Sequence, residues 1–305
     1  MSATTAPVSL APRVTSVSLA AQKQAGRPVV MLTAYDFHSA RLVEAAGIDC
    51  VLVGDSLGMT MLGHDSTLPV TMEDMVRATR SVSSACTRVL VVADMPFMSY
   101  QADYAEGMHN AGRLLAEGHA HAVKVEGASA DTLSLVAGLT DAGVPVMGHI
   151  GLTPQSVNVL GGYRTQARDV DSAARAIADA FALQEAGAFA LVLECVPAEL
   201  ATRISDLLAI PTIGIGAGAG CDGQVQVFHD LLGLGDFLPK HAVRYAELGS
   251  AVTEAVSRYA DDVRGHAFPG EQQTVHMDAA TVTELDAVIA EADDIFAGLE
   301  DGEVQ

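Results

Sequence analysis

Basic side chains are scarce in this sequence. Of its 305 residues only 17 are Lys or Arg, against 38 that are Asp or Glu, so the formal net charge is −21. Proteins that bind nucleic acids rely on attraction between basic side chains and phosphate groups. This composition excludes that class, and we expect no nucleic-acid partner.

Paired cysteines and long apolar runs are also missing. The four Cys form no Cys-x-x-Cys pair and no zinc-ligand spacing, and a chain of this length needs no disulfide framework. No stretch approaches the roughly 18 uninterrupted apolar residues of a membrane-spanning helix, because Asp94, Glu126 and Glu194 interrupt the best candidates. We therefore expect a cytoplasmic protein that acts without a membrane.

The N-terminal segment, residues 1–27, contains three bases and no acid, and it has no apolar core of the kind that targeting peptides need. We interpret it as a loose arm followed by a short helix from about Val17 to Gln24.

The C-terminal segment is strongly acidic. Residues 271–305 contain ten acidic side chains and no Lys or Arg. Thr281 and Glu284 have the spacing of a capping box, and apolar residues recur after them at helical spacing. We predict an amphipathic helix within 277–305, with its apolar stripe on its own chain or on a neighbouring subunit. The stripe consists of Leu285, Val288, Ile289, Ile295, Phe296 and Leu299.

Between these ends a helical run that closes on Gly repeatedly leads into a β-branched apolar run. The Gly is typical of a helix C-cap in the left-handed conformation. The apolar runs do not alternate with polar residues, as expected for parallel strands buried on both faces. Four junctions show the pattern: 44–47 into 50–55, 115–118 into 122–126, 140–143 into 144–149, and 184–187 into 189–194.

Four more runs raise the number of candidate strands to eight. An α/β protein with eight strands alternating with helices is predicted to be a closed (β/α)8 TIM barrel, here over residues 28–276. An open doubly wound sheet is the alternative, and it normally carries a Gly-rich phosphate turn after its first strand. Residues 33–40, which follow the first strand, contain no glycine. The four added runs are 29–34, 89–94, 211–216 and a weak 237–240.

Acidic side chains recur where the predicted strands end, and in such a barrel the reactive groups lie at those ends. One carboxylate could simply cap the helix that follows. Four of them at buried strand ends indicate compensation by a cation or a proton. If it is a cation, oxygen ligands without clustered Cys or His favour Mg2+. The strand-end residues are Asp55, Ser56, Asp94, Lys124, Glu126, His149 and Glu194.

Two glycine motifs resemble other active sites. Residues 54–58 read GDSLG, which matches the Gly-x-Ser-x-Gly elbow of serine hydrolases. That elbow needs a helix immediately after its serine, whereas we expect helix to resume only near Thr71. Serine hydrolysis is therefore the weaker enzyme hypothesis. The run at 213–220, IGIGAGAG, does not fit Gly-x-Gly-x-x-Gly, so its glycines serve either packing or close approach of a ligand.

Long segments of the chain resemble the ketopantoate hydroxymethyltransferase family, also called 3-methyl-2-oxobutanoate hydroxymethyltransferases. The resemblance covers roughly residues 14–276, so the acidic C-terminal helix extends beyond it. The segments are MLTAYD (31–36), LVGDSLGMTMLGHDSTLPVT (52–71), ADMPFMSY (93–100), VKVEG (123–127), GHIGLTPQSVNVLGGYRTQAR (148–168), LVLECVPAEL (191–200), IPTIGIGAG (210–218) and FPGE (268–271).

The resemblance implies a (β/α)8 barrel that transfers a hydroxymethyl group from 5,10-methylenetetrahydrofolate to 3-methyl-2-oxobutanoate in pantothenate biosynthesis, giving 2-dehydropantoate. It implies that Asp55, Asp94 and Glu126 bind Mg2+, the last directly or through water, and that Glu194 is the proton acceptor. It also implies a homo-oligomer, commonly a decamer. The residues it assigns to substrate binding are Asp55, Ser56, Asp94, Lys124 and His149.

Elementary chemistry is consistent with that assignment. A 2-oxo acid that chelates Mg2+ through its keto and carboxylate oxygens loses its C3 proton more easily, because the cation stabilises the enolate. Lys124 would attract the substrate carboxylate, and it can also pair with Glu126, two residues along the same strand. Two other hypotheses stay open, a Mg2+-dependent 2-oxo-acid lyase or mutase and a non-catalytic metabolite-binding or scaffolding barrel.

Overall fold

The computed structural model describes the backbone of residues 12–300 and the side chains of residues 12–292. The predicted N-terminal arm falls largely on residues 1–11, outside the described residues. The chain divides into two compact units, Met1–Leu248 and Gly249–Gln305. The barrel boundary at residue 276 drawn from the sequence stays a prediction.

The first unit contains a closed barrel of eight parallel strands, in which each strand pairs with the next and β8 pairs with β1. This confirms the predicted TIM barrel and rules out the open doubly wound sheet. The strands are β1 (Val29–Thr33), β2 (Cys50–Val53), β3 (Leu90–Asp94), β4 (Ala122–Glu126), β5 (Val146–Gly151), β6 (Ala190–Glu194), β7 (Thr212–Ile215) and β8 (Gly223–Gln226).

Helices follow most of the strands and surround the barrel. Several begin at a side chain that accepts a hydrogen bond from the first turn, for example Asp36, Thr71 and Asp169, which satisfies backbone donors that the helix cannot. The helices of this unit are α1 (Ser16–Gln24), α2 (Phe37–Ala45), α3 (Leu57–Thr60), α4 (Met72–Ala85), α5 (Tyr104–Ala116), α6 (Ala130–Asp141), α7 (Val157–Leu160), α8 (Val170–Glu185), α9 (Ala198–Leu207) and α10 (Phe228–Leu232).

The alternation of side chains along each strand separates two cores. In β3, Leu90 and Val92 belong to the cluster inside the barrel, while Val91 and Ala93 pack outward with residues of the helices. Because alternate residues share a face, Asp94 continues the inward series at the carboxyl end of its strand. The inward-facing side chains are thus apolar along most of each strand and polar at its carboxyl end, which forms the mouth of the barrel.

Helix α1 packs at the opposite end of the barrel and confirms the predicted N-terminal helix. Its Leu19, together with Val14, belongs to the buried cluster inside the barrel. The side chain of Thr15 and that of Ser18 cap its first turn reciprocally. Lys23 Nζ lies 2.8 Å from Asp222 Oδ2, which ties the helix to the start of β8.

The predicted eighth strand at 237–240 is wrong. The eighth strand is β8, with the sequence GQVQ, and the link from β7 to β8 contains no helix. A side chain at Gly223 would strike the carbonyl oxygen of Val29 on β1, so the close pairing requires glycine there. Residues 237–240 instead line the cavity at the barrel mouth.

The expectation that no helix follows Ser56 is also wrong. The short helix α3 begins at the next residue. Ser56 itself has φ −54° and ψ −15°, which is ordinary right-handed helical backbone. The nucleophile elbow holds its serine on a strained turn, so the serine-hydrolase hypothesis now fails on backbone geometry.

The second unit contains α11 (Leu248–Arg264), a 3-10 turn at Glu271–Gln273 and α12 (Ala279–Glu300). Helix α12 confirms the predicted C-terminal helix, but its cap differs. The side chain of Asp278 accepts hydrogen bonds from the backbone of Ala280 and Thr281, so Asp278 replaces Thr281 as the N-cap. In the predicted stripe, the side chains of Ile295, Phe296 and Leu299 lie outside the described residues. None of the helices described here is both long and apolar enough to cross a membrane.

Candidate active site

All seven residues predicted from the strand ends line one cavity at the carboxyl end of the barrel. Five of them face the barrel interior at the ends of their strands: Asp94 on β3, Lys124 and Glu126 on β4, His149 on β5 and Glu194 on β6. The other two, Asp55 and Ser56, lie in the turn between β2 and α3. Most of these side chains are buried, while the Glu194 side chain is 16% exposed. The cavity has a volume of about 1420 Å³. The seven are Asp55, Ser56, Asp94, Lys124, Glu126, His149 and Glu194.

Lys124 is the positive centre of this cluster. Its Nζ atom lies 3.2 Å from Asp94 Oδ1, 3.9 Å from Glu126 Oε1 and 3.1 Å from His149 Nδ1. Burial acts to lower the pKa of Lys124, but the three carboxylates Asp94, Glu126 and Asp55 raise it above its usual range. Lys124 is therefore charged, and both its pairing with Glu126 and its position at the mouth agree with the sequence prediction.

His149 lies between two carboxylates. Its Nδ1 atom is 3.4 Å from Glu126 Oε1, and its Nε2 atom is 3.4 Å from Glu194 Oε2. Burial and the Lys124 charge act to lower the pKa of His149, but Glu126 and Glu194 outweigh them and raise it to about 9. The His149 ring thus lies between Glu194 and the acidic group around Lys124.

The cluster has more negative than positive groups. Its four carboxylates face one ammonium group, that of Lys124, and the ring of His149. Burial, together with the charges of Asp94 and Glu126, raises the pKa of Asp55 well above its usual range. Burial also raises the pKa of Asp94, against the opposing charge of Lys124. Such carboxylates stay ionised at neutral pH most readily when a further cation is present.

Asp55 and Asp94 best fit a hard cation. The backbone N–H of Asp55 donates to Asp94 Oδ2 at 3.1 Å, so the two residues adjoin. Asp94 Oδ1 is buried, and although Lys124 lies near it, it accepts no hydrogen bond of acceptable geometry. Among the side chains of residues 12–292, no group of three or more His, Cys, Asp or Glu has the arrangement of a metal site. The Mg2+ triad predicted with Glu126 thus stays a prediction.

The sequence analysis missed Gln155, which connects two of the predicted ligands. Its Nε2 atom donates to Asp55 Oδ2 and to the carbonyl of Met95, both at 2.9 Å. Its backbone N–H donates to Glu126 Oε2 at 3.0 Å. The Tyr100 hydroxyl donates to Gln155 Oε1 at 3.1 Å and accepts from the backbone N–H of Glu126. The only signal in the sequence was a polar turn directly after the fifth strand.

Ser56 pairs with a tyrosine. The Ser56 Oγ and Tyr35 hydroxyl oxygens are 2.9 Å apart. Burial raises the pKa of Tyr35 to about 12, although the hydrogen bond between Tyr35 and Ser56 opposes the change. Tyr35 therefore stays protonated at neutral pH and can orient the Ser56 hydroxyl towards a bound ligand.

Two glycines of the 213–220 run, and His121, have structural contacts away from the acidic cluster. A side chain at Gly218 would lie 2.5 Å from Ala198 Cβ, and one at Gly220 would strike Thr202, both on α9, so these glycines serve packing. His121 precedes β4 at the opposite end of the barrel, where its Nδ1 atom accepts a hydrogen bond from the backbone of Val91 at 2.9 Å.

Three curated relatives illustrate what the chain is similar to, and all three are named 3-methyl-2-oxobutanoate hydroxymethyltransferase. The protein from Carboxydothermus hydrogenoformans is 54% identical over 87% of this chain and 96% of its own length. That from Acetivibrio thermocellus is 50% identical over 90% and 97%. That from Chloroflexus aurantiacus is 51% identical over 92% and 98%.

Solved structures that resemble this chain share its fold at low identity. Phosphonopyruvate hydrolase, in a complex with oxalate and Mg2+, has a TM-score of 0.56 at 14% identity and covers 96% of this chain and 100% of its own. A 2,3-dimethylmalate lyase has a TM-score of 0.55 at 18% identity and covers 96% and 100%. The sequence profile of ketopantoate hydroxymethyltransferase matches residues 13–271. The chain therefore belongs to the ketopantoate hydroxymethyltransferase family of enzymes.

Proposed function

We propose that this enzyme transfers a hydroxymethyl group from 5,10-methylenetetrahydrofolate to 3-methyl-2-oxobutanoate, giving 2-dehydropantoate in pantothenate biosynthesis. The observation that carries the proposal is the buried group of carboxylates around Lys124 and His149, at the reactive end of the barrel. The names of relatives at 50–54% identity support the choice of reaction and substrate. The sequence similarity to these relatives extends over 96–97% of their length, so more than a shared barrel fold supports the choice.

Asp55 and Asp94 would hold Mg2+ in this proposal, and Glu126 would contribute through water. Glu126 suits the outer role because Lys124, His149 and the backbone of Gln155 already contact its carboxylate. When bound, Mg2+ supplies positive charge that makes the C3 proton of the oxo acid more acidic and favours the enolate.

Lys124, Ser56 and His149 would bind and orient the oxo acid. Lys124 carries a buried positive charge beside Asp94, which suits the carboxylate of the substrate. Ser56 offers a hydroxyl whose direction Tyr35 sets. His149 occupies the space between Lys124 and Glu194, so the substrate carboxylate and its C3 proton would lie towards opposite sides of the ring.

Glu194 would remove the C3 proton. It is the most exposed of the four carboxylates and lines the cavity, so it can reach a substrate held in front of the acidic cluster. The proton would move to the Glu194 carboxylate, which lies 3.4 Å from the Nε2 atom of His149. The carbon left behind then faces the methylene carbon that the folate carries.

Exchange of the C3 proton with solvent tests this proposal without folate. Proton NMR in D2O with Mg2+ should show the wild-type enzyme exchanging the C3 hydrogen of 3-methyl-2-oxobutanoate. Glu194→Gln should slow the exchange by about 10²- to 10⁴-fold, as expected for loss of a general base. Glu199→Gln is the matched control, because Glu199 is exposed on α9 and does not line the cavity. Undiminished exchange in Glu194→Gln would show that another group is the base.

We also propose a cytoplasmic homo-oligomer, with the decamer common in the family as the expected state. All four cysteines are free, which suits a reducing compartment. Large apolar side chains such as Val159 and Tyr245 are exposed on the single chain, and subunit contacts would cover such surfaces. Sedimentation velocity on the full chain tests this, and a monomer at micromolar concentration would contradict it.

A further inference from the structure

The cavity is larger than the proposed oxo acid requires. Its volume of about 1420 Å³ exceeds the roughly 300–1,000 Å³ of sites that enclose drug-sized ligands. The acidic cluster and Lys124 are buried at its inner end. The outer part, formed by exposed loop residues, remains for a second and larger ligand.

Three basic side chains line this outer part. Arg164 and Arg168 lie in the loop between α7 and α8, and Lys240 lies in the segment after α10. All three are exposed. Within the described part of the chain, none of the three forms a salt bridge, although acidic residues outnumber basic ones by 38 to 17. Asp236 is an exposed carboxylate of the same rim, so the rim remains more basic than acidic.

The loop that bears the two arginines is fixed beside the proposed base. The backbone N–H of Gln166 donates to the carbonyl of Cys195 at 2.8 Å, one residue after Glu194. Ala167 has φ 54°, a left-handed conformation that non-glycine residues adopt at some cost in free energy and that occurs often at functional sites. The loop thus places Arg168 at the cavity in a defined backbone geometry.

Aromatic side chains accompany the bases. Tyr163 is 52% exposed and Phe237 is 78% exposed, and both line the cavity. The Tyr163 hydroxyl donates to Met59 Sδ at 3.7 Å, which restrains the ring. Aromatic faces next to positive charges suit a ligand that has flat rings at one end and carboxylates at the other.

We propose that Arg164, Arg168 and Lys240 form an anion subsite that binds the glutamate carboxylates of the folate donor. This inference rests on the proposed function, since it assigns the outer cavity to the second substrate of that reaction. Arginine side chains bind carboxylates in a bidentate manner. The subsite would hold the folate by its tail, while the ring end carrying the methylene group lies towards Glu194.

Steady-state kinetics of the Mg2+-loaded full chain test the subsite. Arg164→Ala, Arg168→Ala and Lys240→Ala should each raise the KM for methylenetetrahydrofolate about 3-fold, and the triple variant should raise it about 30-fold, as expected for separate exposed charge contacts. The KM for the oxo acid should change less than 2-fold. Arg77→Ala is the matched control, because Arg77 is an exposed base on α4 outside the cavity.

A second measurement separates this inference from the proposed function. Folates with several glutamates should have a lower KM than the monoglutamate in the wild-type enzyme, and added salt should reduce the difference. The triple variant should lose that preference. A folate KM within 2-fold of wild type in the triple variant, with C3 exchange intact, would overturn the subsite and leave the proposed function standing. Absence of C3 exchange in the wild-type enzyme would contradict the proposed function instead.

Discussion

Replacement of Gln155 by leucine removes four hydrogen bonds beneath the acidic cluster. The side-chain amide donates to Asp55 and Met95 and accepts from Tyr100 and Gln101. A bond to a charged group contributes about 1.5–3 kcal/mol and a neutral one about 0.5–1.5 kcal/mol. Leucine has a similar volume, so no large cavity forms. The free energy of unfolding should therefore fall by about 3–7 kcal/mol.

Urea unfolding in EDTA at fixed protein concentration measures this loss. Gln101→Leu is the control, because Gln101 is exposed and donates a single hydrogen bond to Gln155. Its loss should be no more than about 1 kcal/mol. Calorimetry should also show Mg2+ affinity about 10-fold weaker or more in Gln155→Leu, since Asp55 loses the group that orients it. Equal stability of the two variants would refute the role assigned to Gln155.

Three further predictions concern other parts of the chain. Asp94→Asn should weaken Mg2+ binding about 10-fold or more, while Glu194→Gln should largely retain it; the reverse order in calorimetry would contradict the assigned roles. Burial and the charge of a nearby arginine lower the pKa of His121 to about 4, so its contribution to stability is present above about pH 6.5 and is lost as the pH falls towards 4. Allowing for partial exposure, wild type should lose about 1 kcal/mol more than His121→Asn between pH 7 and pH 5 in urea unfolding, and parallel losses would refute this. Alanine at Gly151, where φ is +97° and an added Cβ would strike the backbone of Glu194, should destabilise more than alanine at Gly143, where the space is open; similar unfolding midpoints would show that the β5 end has room.

Seven of the eight strands could be predicted because they are continuous apolar runs, and four of these runs follow a helix that closes on glycine. The strand β8 could not, because its sequence GQVQ is short, polar and unmarked by a preceding helix. It is part of the barrel because it pairs with β1, and Gly223 allows the two strands to approach closely because it has no side chain. Both facts depend on the closed barrel and are invisible along the chain.

The strand-end rule found the cluster because period-two alternation carries Asp94, Lys124, Glu126, His149 and Glu194 inward. Gln155, which lies further from a strand end in the turn after β5, escaped it. Gln155 is polar and follows a proline, as many exposed loop residues do, and only its buried contacts distinguish it. The α12 cap at Asp278 was missed for a similar reason, since a capping-box pattern at Thr281 competed with it.

Product formation from 3-methyl-2-oxobutanoate and 5,10-methylenetetrahydrofolate by the purified chain tests the proposed function most directly. 2-Dehydropantoate should form with Mg2+, fail to form in EDTA and form again when Mg2+ is restored. Absence of product with Mg2+ present, or equal product in EDTA, would contradict it.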